Sequence, residues 1–300
     1  MYNCITMVED TGSIISDGFD KWQKNLNICL PFVFDLVISS ALALIILGSA
    51  ILATIPSFVP YLTNPPDEIS PHLISQLLPQ ILRSLSIIIA AIIITIILGL
   101  LVSSFFTAGA IGMAKEAIKS GQTNLSDMKD YGSRKFIDIF FANLIIGLIA
   151  FAGVIFIIPG VLSFWDVIIS GINLPLAEVL PLVTLFGLGF LAMGIYVMII
   201  SIIFAPSRYA IVIEDLRAVE GVKKGFRFFM DNKVDVFLIW LIVFAITAVS
   251  TFVNSIPYVG WIIGTAISVI IISPLAVIWW SRLYLNTSIS IGSDELVKQT

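Results

Sequence analysis

Charge, histidine and cysteine are all scarce in this sequence. Lys, Arg, Asp and Glu together make up 12% of 300 residues, where an ordinary soluble domain carries about 25%. Such a chain cannot cover itself with polar surface. With His72 as its only histidine the sequence cannot build a histidine zinc site, and Cys4 and Cys29 lack metal-ligand spacing. The glycine-rich phosphate loop ending in Gly-Lys-Ser/Thr and the Gly-x-Ser-x-Gly elbow are both absent. No basic tail points to nucleic acid. The expectation is therefore a protein that is no enzyme, carries no cofactor or metal and binds no nucleic acid. Residues 1–19 contain acidic residues where a signal peptide needs basic ones, so no cleaved leader is expected.

What the sequence has in abundance is apolar runs, with 58% hydrophobic residues. A spanning helix needs about 20 mostly apolar residues, and six stretches qualify: 31–55, 85–111, 136–158, 182–204, 234–253 and 261–283. Transmembrane barrel strands alternate apolar and polar residues over about 10 positions, and these runs do not alternate. The predicted fold class is all-α: one polytopic membrane bundle covering residues 1–300.

Fifteen of the sixteen Lys and Arg residues precede span one, lie at or beyond the end of span six, or fall in the links between spans two and three and spans four and five. The exception is Arg83. The positive-inside rule assigns that face, and with it both termini, to the cytoplasm of a cell membrane. Cys4 and Cys29 then lie on the reducing side, where no disulfide is expected. The sequons at Asn124 and Asn286 fall on the same side, so glycosylation is not expected there. Of the outer links, the first holds Pro65, Pro66, Asp67, Glu68 and His72, a proline cluster that forbids a continuous helix, with 73–82 available to lie along the interface. The second, around Trp165 and Asp166, reads as an interfacial or re-entrant segment. The third is a tight turn around Asn254 and Pro257.

Self-comparison matches residues 17–25 (DGFDKWQKN) with 224–232 (KGFRFFMDN), pairing Gly18 with Gly225, Phe19 with Phe226, Trp22 with Phe229 and Asn25 with Asn232. A looser version, DMKDYGSRKFID from Asp127, precedes span three. The chain thus reads as three helical hairpins, each entered through a cytoplasmic amphipathic segment. In the last copy Val219, Val222, Phe226 and Phe229 recur at helical spacing, with Lys223, Lys224 and Arg227 on other faces. Such a helix lies in the headgroup layer. It serves either as an elbow that orients the next span or as a contact for anionic lipid through Lys223, Lys224 and Arg227.

The stretch FAPSRYAIVIEDLRAVEGVKKGFRFFMDN ends a span at Pro206 and continues through an apolar, strand-like run, an acidic pair and a Gly-punctuated basic helix. It resembles the six-helix membrane domain found beside glycerophosphodiester phosphodiesterases and in related prokaryotic membrane proteins, over about residues 109–285. The resemblance implies six helices and a membrane role. No phosphodiesterase catalytic domain is read in these residues, so that activity is not expected to carry over.

Asp35 lies inside the first span, where a carboxylate must find a cation, take a proton or reach water. It reads either as half of a buried ion pair with Arg208 or Arg282 or as a proton or substrate site. Asp138 and Asp235 begin spans three and five, where a negative charge suits a helix N-terminus. Gly260, Gly264 and Ser268 in span six, and Gly187, Gly189 and Gly194 in span four, mark close helix contacts within the monomer or in a homo-oligomer. Pro274 is expected to kink span six. Two functions follow: a membrane scaffold or accessory protein whose partners are lipids or another membrane protein, and a transporter of a small or lipidic molecule with Asp35 in its path.

Overall fold

A computed structural model describes residues 11–57, 71–170 and 176–298, and the regular elements among them are all helical. α1 (Thr11–Lys24) leads through a 3-10 turn (Leu26–Cys29) into α2 (Leu30–Thr54), followed by α3 (Pro71–Ser120) and α4 (Leu125–Phe151). A second 3-10 turn (Ala152–Phe156) joins α4 to α5 (Ile158–Ser170), then come α6 (Leu176–Phe204), α7 (Ser207–Ile213), α8 (Ala218–Asp231) and α9 (Lys233–Asn254). α10 (Gly260–Ile267) passes through a π turn (Ser268–Ile272) into α11 (Ser273–Lys298). Six segments are long and apolar enough to cross a bilayer: α2, α3, α4, α6, α9 and the α10–α11 unit. This is the build of a multi-pass membrane protein. Cys4, residues 65–68 and the side chains of His72 and Asp166 lie outside the described residues.

Two expectations need correction, and a third segment gains detail. Residues 73–82 are not a separate interfacial segment, because α3 runs unbroken for 50 residues with Pro79 inside it. Pro71 opens the helix, where a missing N–H costs nothing, and an interior proline is tolerated where neighbours re-satisfy the backbone. The segment from Asp127 is likewise no separate amphipathic helix. Asn124 caps α4 by accepting from the Ser126 and Asp127 N–H groups, and Asp127 reciprocates at the Asn124 N–H. Nothing then interrupts the helix before Phe151. The link after span three is partly regular, as α5 packs on α6 with Phe164 against Phe186 at 5.5 Å between ring centroids.

The two best-matched segments do fold alike. α1 and α8 each have 14 residues. Asn25 and Asn232 follow them in the same backbone conformation, and each donates its side-chain amide to the carbonyl four residues back, Lys21 or Phe228, at 3.0 Å. Gly18 and Gly225 are both buried, against Trp279 and Ser207 respectively. Asn25 also bonds the Gly121 carbonyl and the Thr123 N–H, tying the entrance of α2 to the α3–α4 turn.

Span six changes its winding just before Pro274. Proline cannot donate to the carbonyl four residues earlier, that of Ile270, and the preceding turn widens into π geometry. The freed Ile270 oxygen accepts instead from Trp22 Nε1 at 3.3 Å and Cys29 Sγ at 3.0 Å. Gly260 and Gly264 pack on the end of α9 at Val253 and Asn254, and Ser268 meets Ser250 at 2.9 Å. This small-residue stripe serves contacts inside the monomer.

The core is one-sided. Its buried residues gather where the basic links lie, in 108–117 of α3, in Ile139 and Ala142 of α4, in α7, and in 275–285 of α11. At the opposite end Leu44, Leu52, Phe151, Leu188, Leu191 and Phe252 face outward, as lipid-facing side chains do.

Candidate functional site

The basic end of the bundle is organised around α7. Pro206 precedes it, and five of its seven residues, Ser207, Tyr209, Ala210, Ile211 and Val212, are buried among the spans. The apolar run expected to be strand-like is therefore helical. A lone strand at that depth would leave its backbone groups unpaired, whereas a helix satisfies them internally. The helix closes at Asp215, whose φ of +59° is the left-handed conformation that Asp tolerates better than most residues, and the Leu216 N–H returns to the Ile211 carbonyl at 3.1 Å.

Side chains from α3, α4, α8 and α11 clamp this turn. Lys135, with 7% of its side chain exposed, reaches Asp215 at 2.9 Å and Asp138 at 3.5 Å and donates to the Leu216 carbonyl at 3.1 Å. Lys115 donates to the Ile213 carbonyl at 3.1 Å. Glu214 accepts from Tyr284 at 2.5 Å and pairs with Lys224 at 3.4 Å. Lys115 and Arg134 sit over the Tyr131 ring, whose hydroxyl donates to Glu116 at 2.7 Å. The hydrogen bond from Lys135, aided by the charges of Lys135, Arg134 and Lys115, holds the Asp215 carboxyl below the usual carboxylate range.

Asp138 does not cap its own helix. It lies well inside α4, and its Oδ1 accepts from the Ala218 N–H at 3.3 Å, so it caps the first turn of α8. Asp235 does occupy the first turn of α9, where it also accepts from Thr11 at 3.3 Å.

The expected pairing of Asp35 with either arginine is not formed. Asp35 is half-buried and accepts from Ser39, one turn along α2, at 3.0 Å. Arg282 is held by Asp17 at 2.6 Å, linking α11 to α1. Arg208 donates Nε to Asn143 Oδ1 at 3.0 Å. Of the basic trio on α8, Lys223 and Arg227 are exposed, while Lys224 is drawn to Glu214. The expected membrane-facing apolar stripe is divided: Val222 is buried, Phe229 half-buried, and Val219 and Phe226 exposed. α8 packs through Gly221 on Ile211 and through Gly225 on Ser207. A Cβ at either glycine would strike α7, so the two helices approach as closely as backbones allow.

Beside α7 lies a cavity of about 350 Å³ to which every span contributes: Phe32, Thr107, Ile146, Ser201, Trp240 and Trp280. Arg208 and Tyr209 of α7 complete its wall, with Tyr209 stacked on Trp280 at 6.0 Å. Asp35 is not among its lining residues.

Sequence reasoning noted the acidic pair Glu214–Asp215 as part of a motif but missed its partners Lys115, Tyr131, Lys135 and Tyr284. The available signal was the spacing of Lys135 and Asp138 at a span entrance, which offers a buried lysine one carboxylate and the need for a second.

A protein described as uncharacterised from Archaeoglobus fulgidus is 24% identical over 299 residues, covering 96% of this chain and 99% of that one. No solved structure matches. Residues 32–297 match the model of a domain of unknown function, DUF7847. Because the match takes in nearly all of the described spans, the chain belongs to the DUF7847 family.

Proposed function

We propose that the chain is a non-enzymatic membrane scaffold with both termini in the cytoplasm, and that it holds anionic lipid headgroups against α8. One observation carries this reading: α8 is locked by close glycine contacts on α7 and by the Asp138 cap, yet presents Lys223 and Arg227 outward. Lys233, which begins the next span, is also exposed. A rigid helix has already lost the freedom that binding would otherwise cost it. Each exposed cation near an anionic surface contributes about 1 kcal/mol. Lys224 contributes less, because Glu214 holds it.

Transport through Asp35 has weaker support, since that residue bonds within its own helix and lies off the central cavity. The test is thermal stability of the full chain in nanodiscs of phosphatidylglycerol against phosphatidylcholine. The wild type gains stability in the anionic lipid, and the combined Lys223→Gln, Arg227→Gln and Lys233→Gln variant loses most of that gain. An undiminished gain in the variant would remove the α8 surface from the proposal.

A further inference from the structure

The wall of the cavity beside α7 carries a cation that no carboxylate among the described residues pairs with. Arg208 is ringed by protein atoms yet exposes much of its side chain, as a residue at the wall of an open cavity does. Its Nε is committed to Asn143, a neutral amide that is itself fixed by Ser104 at 3.4 Å. Asn143 lies eight residues beyond Lys135 along α4, about 12 Å deeper at helical rise. Long basic side chains in membranes ordinarily reach outward to the headgroup layer. Arg208 is instead drawn inward, towards the bundle interior, and held there.

The cavity has no Asp or Glu in its wall. Among the described residues no ion pair reaches Arg208, and its two terminal Nη groups have no hydrogen-bond acceptor. A guanidinium in that state lacks a counter-ion, and its planar pair of Nη donors matches the two oxygens of a carboxylate or phosphate. The remaining wall is amphipathic. Thr107 and Ser201, the latter donating to the Met198 carbonyl, add polar groups to the wall, and Phe32, Trp240 and Trp280 offer aromatic faces for an apolar body. At about 350 Å³ the space falls in the range of small-molecule sites.

We propose that this cavity binds an anionic amphiphile, with its carboxylate or phosphate on Arg208 and its apolar chain against Trp240 and Trp280. The site is distinct from the α8 surface and does not depend on it.

Two tryptophans in the wall supply the readout. Delipidated full-length protein in neutral detergent is titrated with dibrominated stearate, whose bromines quench nearby indoles, and the Trp280→Phe variant identifies the signal from the cavity. The wild type shows saturable quenching. Arg208→Gln weakens it by at least about tenfold, the loss of one charge-assisted contact, and the methyl ester of the same acid does not saturate. Inorganic phosphate displaces the acid only weakly, because it lacks the chain. Should Arg208→Gln fail to fold, Ala205→Phe, at another lining position, fills the cavity with the cation retained, and it too abolishes saturable quenching. Equal binding by Arg208→Gln, by Ala205→Phe or by the methyl ester overturns the proposal. Displacement by inorganic phosphate as tight as by the acid overturns the amphiphile in favour of a free anion. Lys223→Gln with Arg227→Gln leaves the titration unchanged, which separates this site from the headgroup surface.

Discussion

Lys135 and Asp215 meet at 2.9 Å across the gap between α4 and the turn that ends α7, and the lysine is buried while the aspartate is 61% exposed. That asymmetry places the burden on the lysine. Its ammonium has left water and is compensated by Asp215, by Asp138 and by the Leu216 carbonyl, so all three lose a partner if it is removed. Lys135→Met is expected to destabilise the protein by about 1–3 kcal/mol. Asp215→Ala should cost less, because Asp138 and the carbonyl remain. Urea or thermal unfolding in detergent measures both, and an unchanged midpoint for Lys135→Met would show that the turn is held by apolar packing alone.

The same contact has a pH signature. Asp215 titrates below its ordinary value because Lys135 donates to it and because Lys135, Arg134 and Lys115 are all positive. A carboxyl with a depressed folded-state pKa binds fewer protons folded than unfolded. Its stabilising contribution is therefore complete above the ordinary carboxylate pKa and disappears as pH falls through the lower, folded value. Melting temperature should hold steady from neutral pH to about pH 5, then fall as the medium becomes more acidic. Asp215→Asn should flatten part of that acid limb. A limb of the same depth in the variant would assign the effect to other carboxylates.

The spans were legible because lipid imposes one requirement, a long apolar helix, and 182–204 and 234–253 satisfy it without reference to any neighbour. Where elements end was less legible. Nothing between Asp127 and Phe136 distinguishes an amphipathic elbow from the opening turns of span three, and the Asn124–Asp127 capping box decided it. The site was least visible, since it joins Lys115, Lys135, Glu214, Asp215 and Tyr284 from four separate regions of the chain. Distances that long in sequence leave no periodic trace. Asp35 stood out by composition, yet Ser39 one turn away satisfies it locally. Arg208 looked like one more basic residue in a link, and only the helical path of α7 turns it inward.

The oxygen of Ile270 offers a test of how the π turn in span six is sustained. Pro274 removes its helical donor, and Trp22 and Cys29 take its place from the segment that leads into span one. Cys29→Ala and Trp22→Phe each remove one donor and leave the other. Each alone should therefore cost no more than about 1 kcal/mol, and the double variant more than the sum, because it leaves a carbonyl unpaired in an apolar setting. A double-mutant cycle on thermal unfolding measures the excess. Replacing Pro274 by Ala restores the helical N–H and should remove most of the coupling. Additivity of the two single changes, with Pro274 retained, would show that the carbonyl finds water or another donor.

Orientation is open to direct labelling. Tyr258 is 94% exposed in the turn between α9 and α10, at the end of the bundle opposite Lys223. In the proposed orientation, with the basic links inside, Lys223 lies in the cytoplasm and Tyr258 outside. In a background with Cys4 and Cys29 changed to Ser, a membrane-impermeant maleimide added to intact cells should modify Tyr258→Cys at once. Lys223→Cys should react only after the cells are opened. Lys223 carries its charge beside Arg227 on a helix packed against the bundle, so moving it across a membrane would carry several cations with it, at about 2.5–3.5 kcal/mol each on the insertion scale. Labelling of Lys223→Cys in sealed cells would invert the whole arrangement, and with it the leaflet whose lipids α8 and the Arg208 cavity are proposed to meet.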